Sequence, residues 1–268
     1  MPDLREMQGW IIDLDGVLWR GSIALPGAAE FLDHLHHTGS KLVLATNNAT
    51  ASPASVVVRV RRLGARVSPE EVVTSALAAA SYLQGELPRG AAVYAIGEDA
   101  LRRALTQAGY RLVDRADGAR AVVVGLDRRA DWRKLAEATM ALRSGAMFVG
   151  TNPDATFPGE RGQVPGNGAL LAALRTASGR EPTIVGKPEP HLFRAALERL
   201  GTPAERTVVV GDRLDTDILG GTRAGLRTAL VLTGVTRREE LSPASLRPDW
   251  VYEGLPDLLG HLAPEAAA

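Results

Sequence analysis

Short apolar runs closed by polar clusters recur along this chain, with helically spaced stretches between them. Four runs stand out: Trp10-Ile11-Ile12, Leu42-Val43-Leu44-Ala45, Thr183-Ile184-Val185 and Thr207-Val208-Val209-Val210. A run with no polar alternation reads as a strand buried on both faces, as in a parallel sheet covered by helices. Helices are predicted at Pro26 to His37, with Ala29, Leu32 and Leu35 on one face and Gly39 as the stop, and at Ser52 to Leu63, opened by Ser52-Pro53 and closed by Gly64. A third, apolar helix is expected at Ser75 to Gln84. Alternating strands and helices predict an α/β fold with a doubly wound parallel sheet and right-handed crossovers.

From about Gly90 the alternation restarts on its own. Strands are expected at Ala92 to Ile96, Ala121 to Gly125 and Met147 to Thr151, and helices at Asp99 to Ala108, Trp132 to Ser144 and Asn167 to Ala177. Thr183 is expected to resume the first domain, followed by helices near Pro190 to Leu200 and Asp215 to Ala224, a strand at Thr228 to Leu232, and a last strand and helix from Trp250 to Leu262. The expected division is therefore a core at 1–80 and 181–268 interrupted by an inserted α/β domain at 81–180. The Ala-rich end, Pro264 to Ala268, is expected to fray.

Polar residues follow directly on the four runs: Asp13-Leu14-Asp15-Gly16-Val17, Thr46-Asn47-Asn48, Gly186-Lys187-Pro188, and Gly211-Asp212-Arg213 continuing to Thr216-Asp217-Ile218. In an open α/β sheet, ligands bind beyond the carboxyl ends of strands, where strand order reverses. Four acids, a lysine and a hydroxyl converging there point to a phosphate-and-metal site. The Gly-Lys pair is not the end of a Walker loop, because Pro188 stands where Ser or Thr is needed and Glu181 where the first Gly is. The run His34, His36, His37 reads as a solvated helix face, and His191 as the start of a helix.

These segments resemble the signature of the haloacid dehalogenase (HAD) superfamily, NagD-type subfamily IIA. Asp13-x-Asp15-Gly16-Val17 is similar to its first motif, Thr46-Asn47-Asn48 to its second, Lys187 to its third, and Asp212 with Asp217 to its fourth. Thr151 to Pro158 and Pro165-Gly166-Asn167-Gly168 resemble the subfamily's cap signature. The likeness runs from about Gly9 to about Leu259, in the required order, with no departure at a catalytic position.

The resemblance implies a phosphatase of small phosphate monoesters with a Rossmann-like core and an inserted cap domain that selects the leaving group. It implies Asp13 as the nucleophile that forms an aspartyl-phosphate, and Asp15 as general acid and base. Gly16, Thr46, Asn47, Asn48 and Lys187 would hold the phosphate, helped by backbone N–H groups of the Gly16-Val17-Leu18 turn. Mg²⁺ would be bound by the Asp13 side chain, the Asp15 carbonyl and Asp212, with Asp217 holding a ligand water. Phe157 contacts the leaving group on this reading or packs in the cap core on the plainer one. Asp154 is a turn residue or a loop contact to the site, and Arg213 either orients Asp212 or covers the surface. A receiver-like, phospho-accepting signalling module shares clustered Asp, Thr and Lys, but it lacks an inserted domain and a counterpart to Asp15.

Composition narrows the partners. Lys plus Arg equals Asp plus Glu at 31 each, so the chain as a whole makes no electrostatic case for nucleic acid or an anionic membrane. With no cysteine among 268 residues, thiolate metal sites and thiol nucleophiles are excluded. The polar stretch Met1 to Gln8 lacks an apolar signal core, and no apolar run approaches a membrane span, so a cytoplasmic protein acting on a small phosphorylated metabolite is expected, with a homodimer left open.

Overall fold

The computed structural model describes residues 3–159, 162–241 and 246–263, so the terminus expected to fray, 264–268, lies outside the described residues. By contacts the chain forms two compact units, one of Met1–Thr46, Pro53–Val73 and Lys187–Ala268 and the other of Asn47–Ser52 and Thr74–Gly186. The divisions fall several residues from those expected at 80 and 180.

The first unit is built on a six-stranded sheet ordered Trp250–Tyr252, Arg227–Val231, Thr207–Gly211, Gly9–Ile12, Lys41–Thr46, Val72–Thr74. Gly9–Ile12 pairs in parallel with both Thr207–Val210 and Lys41–Leu44. Both central strands, Gly9–Ile12 and Thr207–Gly211, are buried along their whole length, which is why their sequences show no polar alternation. The chain begins in the middle of this sheet, moves outward through Lys41–Thr46, and later returns to the other side at Thr207–Gly211. Strand order thus reverses between Gly9–Ile12 and Thr207–Gly211, and these are the strands that lead into Asp13 and Asp212. A short antiparallel hairpin, Trp19–Arg20 with Ile23–Ala24, follows the first central strand. Nothing in the apolar pattern marked it, because only Trp19 of its four residues is buried.

The second unit carries its own parallel sheet, ordered Thr183–Ile184, Met147–Gly150, Ala121–Val124, Ala92–Ile96, Arg111–Val113. Ile96, Val122, Val124, Leu142, Phe148 and Leu174 fill its core. Thr183–Ile184 is therefore the edge strand of this unit, pairing with Val149 and Gly150, and does not resume the first domain as the sequence suggested. The run is too short to announce which sheet it joins. An antiparallel hairpin, Thr156–Gly159 with Gly162–Pro165, completes the unit. Among the described residues no helix is long and apolar enough to cross a membrane.

Candidate active site

At the switch point of the first sheet the chain changes from apolar to acidic within one residue. Ile12 is fully buried and Asp13 follows it, its side chain 14% exposed. Asp212 follows Gly211 in the same way on the neighbouring strand and is 2% exposed. The segment after it, expected to be a plain helix from Asp215, opens as a wide π-type turn, Leu214–Ile218, before a short helix at Leu219–Arg223. Such turns are rare and frequent at functional sites. Here the turn buries Asp217, which is 1% exposed.

Carboxylate oxygens of Asp13, Asp212 and Asp217 all lie within 4.8 Å of one another. One cation sits among them: the Lys187 ammonium donates to Asp13 Oδ1 at 2.5 Å and to Asp217 Oδ1 at 2.7 Å, and Lys187 is itself 2% exposed. Burial opposes its charge, but the attraction of Asp13 and Asp217 and their hydrogen bonds outweigh this and hold the lysine protonated. Three clustered carboxylates, two of them buried, face one ammonium among the described residues, leaving excess negative charge. Burial, with Asp217 and Asp212 as like-charged neighbours, raises Asp13 well above the usual carboxylate range in spite of Lys187. Asp212 is pushed up to about 6, by burial first and then by Asp217, against the Val235 N–H that donates to its Oδ2 at 2.7 Å. An oxygen-only donor set with this surplus of charge fits a hard divalent cation.

Asp15 stands at the solvent side of the same segment. Its Oδ1 accepts a hydrogen bond from Trp19 Nε1 at 2.9 Å. The protein crowded around the carboxyl raises its pKa, with Arg59, Trp19 and Lys187 pulling the other way. The Arg59 guanidinium lies 3.8 Å from the centroid of the Trp19 ring. Sequence reading missed both Trp19 and Arg59. The only available signal was that Trp19 is four residues from Asp15, and nothing in the sequence linked Arg59, 40 positions further on, to either.

Gly16 has φ +91°, and a Cβ there would overlap the Asp212 carboxylate. This position needs glycine both for its left-handed backbone and for the close approach of the acid. The anion nest expected of Gly16-Val17-Leu18 is not formed: the Gly16 N–H donates to the Trp19 carbonyl at 2.7 Å, and those of Val17 and Leu18 donate to the Leu14 carbonyl at 3.3 and 2.9 Å. The tight turn uses its own donors. Arg213 follows the plainer of its two expectations: its side chain forks onto the exposed Asp215 at 3.0 and 2.8 Å at the surface, while its backbone N–H reaches Asp217 Oδ2 at 3.3 Å.

The remaining predicted residues divide between the units. Thr46 ends its strand, 5% exposed. Asn47 and Asn48 fall in the second unit, where the Asn47 carbonyl accepts from the Ser75 hydroxyl at 2.6 Å and Asn48 Oδ1 accepts from the Thr50 N–H at 2.9 Å. Phe157 is half-buried on the second unit's hairpin, opposite Val164. Asp154 accepts from the Asn152 side chain at 2.6 Å, and the buried Asn167 carboxamide donates to the Asn152 carbonyl at 2.8 Å, so this loop spends its polar groups on itself. His36 pairs with Glu71 and His37 with the Asp33 carbonyl, as a surface helix would allow.

A parallel sheet with buried acids and a lysine at its switch point defines an α/β enzyme that handles an anionic, metal-associated group. The family model described as haloacid dehalogenase-like hydrolase matches residues 10–111, and a second, described as HAD-hydrolase-like, matches 184–258. The acid sugar phosphatase of Staphylococcus aureus is 39% identical over 259 residues, 97% of this chain and 99% of that protein. The solved glycerol phosphate phosphatase of Mycobacterium tuberculosis, in complex with magnesium, aligns with TM-score 0.88 and 41% identity over 96% of this chain and 78% of that one. NagD from Escherichia coli K-12 aligns with TM-score 0.86 and 39% identity, covering 93% and 97%. The chain belongs to the haloacid dehalogenase-like hydrolases, in their NagD-type branch, and is a phosphoric monoester hydrolase.

Proposed function

We propose that the protein hydrolyses small phosphate monoesters with Mg²⁺, through a phospho-enzyme on Asp13, and that phosphorylated sugars and polyols are the first substrates to test. The observation that carries this reading is the imbalance at the switch point, three clustered carboxylates against one lysine, beside an acid whose second oxygen is free for proton exchange. Similarity to an acid sugar phosphatase and a glycerol phosphate phosphatase supports the substrate class. Asp13, Asp212 and Asp217, with the Asp15 carbonyl, would hold the Mg²⁺, which when bound supplies Lewis-acid polarisation of the phosphate and offsets the surplus negative charge.

The remaining steps belong to the chain's own residues. Lys187 fixes Asp13 through Oδ1 and leaves Oδ2 for in-line attack. As the new Asp13 oxygen–phosphorus bond forms, the ester oxygen–phosphorus bond breaks, and its electron pair stays on the leaving oxygen. That oxygen takes the proton of Asp15, a contribution worth about 10² to 10⁴ in rate. Asp15, now a carboxylate, removes a proton from water as the water oxygen attacks phosphorus, which frees Asp13 and phosphate and restores the acid. Thr46, Asn47, Asn48 and Lys187 are the expected donors to the phosphate oxygens. On this reading the inserted unit selects the leaving group, with Phe157 as the first residue to test for that role.

Phosphate release from sugar, glycerol and aryl phosphates, with and without Mg²⁺, tests the proposal. Turnover that disappears after chelation and returns with Mg²⁺ is the expected result. Full activity in excess chelator after dialysis would overturn the metal assignment, and wild-type turnover by Asp13→Asn would overturn the nucleophile.

A further inference from the structure

An indole N–H can only donate, and that one-sidedness has a chemical consequence at Asp15. Trp19 is 2% exposed, so its N–H needs a partner inside the protein, and it finds one in Asp15 Oδ1 at 2.9 Å. Oδ1 must then accept whether the carboxyl is ionised or neutral. The carbonyl oxygen of a neutral carboxyl is a much better acceptor than its hydroxyl oxygen, so when Asp15 is protonated this bond favours the proton on Oδ2, which makes no hydrogen bond among the described residues. Trp19 is itself fixed from several sides. Its carbonyl accepts from the Gly16 N–H at 2.7 Å, tying it to the segment that carries the acid. Over its ring lies the Arg59 guanidinium, 3.8 Å from the centroid. The same guanidinium donates to the Gly21 carbonyl at the tip of the Trp19–Ala24 hairpin, so one side chain clamps both ring and hairpin. A cation over an indole face is attracted by the negative face of the ring, which favours one ring position.

We infer that Trp19, clamped by Arg59, is the positioning residue that selects which oxygen of Asp15 carries the transferable proton and points that oxygen at the leaving group. This rests on the reading of Asp15 as general acid and base. A correctly placed acid matters most when the departing oxygen is basic, and little when it leaves well as an aryl oxide. The role therefore has a signature that loss of packing lacks: a rate penalty that grows with the basicity of the leaving group.

The test compares turnover of glycerol phosphate with that of p-nitrophenyl phosphate in full-length, Mg²⁺-loaded protein carrying Trp19→Phe, Arg59→Met, both, or Asp15→Asn. Trp19→Phe should lower kcat about 10- to 100-fold on the alkyl ester and less than about 3-fold on the aryl ester, a part of the whole acid contribution. KM and inhibition by inorganic phosphate should change little for both esters. Arg59→Met should show the same pattern more weakly. It is partly exposed and outside the core, so it reports even where Trp19→Phe folds poorly. In the double variant the two effects should fall short of their product, because both act on one group. Equal losses on the two esters, or none on the alkyl ester, would overturn the inference. Asp15→Asn separates this failure from failure of the underlying reading. If it discriminates between the esters and the other variants do not, only the positioning role falls. If it does not discriminate, the acid assignment falls as well.

Discussion

Each unit of this protein buries an acid beside a lysine, and the two arrangements differ above all in how fully the acids are matched. In the second unit Asp127 is 7% exposed and fully matched: Lys134 Nζ reaches Oδ2 at 2.7 Å, and the Arg129 N–H reaches Oδ1 at 2.8 Å. In the first unit Lys187 is shared between Asp13 and Asp217, with Asp212 beside them. A buried acid with one cation and a capping N–H is how a fold accommodates charge. Three acids around one cation make an arrangement that stability alone would not favour, and such imbalance marks a place where something further is bound.

The largest expected effect is at the unbalanced site. If Asp13 is the nucleophile as proposed, Asp13→Asn should reduce turnover by more than about 10⁴-fold. Because it also removes one of three repelling acids, the melting temperature of the metal-free protein should stay the same or rise, which calorimetry will show.

Removing the shared cation tests the comparison from the other side. Lys187→Met should destabilise the metal-free protein by about 3–5 kcal/mol at pH 7, the usual cost of stripping a buried ion pair of one partner. Urea titration should show a smaller loss at pH 5, where protons neutralise part of the acid cluster. A loss independent of pH would mean that the three carboxylates do not repel one another as their spacing implies.

Protons and metal should substitute for one another in the wild-type protein. The folded carboxyl of Asp212 titrates at about 6 and the unfolded one near its ordinary 3.8, so between these values the native state holds more protons than the unfolded state. Stability of the metal-free protein therefore falls as pH rises through that window. Added Mg²⁺ should raise the melting temperature more at pH 7 than at pH 5, because at pH 5 it must displace protons. Equal increments at the two pH values would contradict this.

At the balanced site the effect should be smaller and purely structural. Asp127→Asn keeps the volume but weakens the bond to Lys134, whose side chain is 36% exposed, so a loss of about 1–2 kcal/mol is expected, with kcat unchanged. The smallest change concerns the hairpin of the second unit: if Phe157 selects the leaving group as proposed, Phe157→Ala should reorder the preference among phosphate esters by several-fold while leaving phosphate inhibition intact. An unchanged ranking would place specificity elsewhere.

The apolar pattern already contained the inner strands of both parallel sheets, but not the short edge strands Val72–Thr74 and Arg111–Val113. A strand buried on both faces has no polar position to spare, so Trp10-Ile11-Ile12 and Thr207 to Val210 could be read directly, and the acids that end them stood out by contrast. Asp13, Lys187, Asp212 and Asp217 were legible because each follows an apolar run within a residue or a turn, and their convergence followed from how parallel sheets place strand ends. What remained hidden depended on contacts between distant segments. Thr183-Ile184 has the composition of a strand in either sheet, and only pairing with Val149 and Gly150 assigns it to the second unit. The N–H groups of Gly16, Val17 and Leu18 could have faced an anion or their own turn, a choice made by backbone geometry. That Trp19 donates to Asp15 and Arg59 covers Trp19 required a hairpin and a helix to meet, and sequence spacing does not encode which faces of two elements touch. The sequence determined the charges and the strand ends that carry them. Tertiary structure decided which oxygen each donor reaches, because a hydrogen bond depends on direction and on tenths of an ångström, and composition and periodicity carry neither.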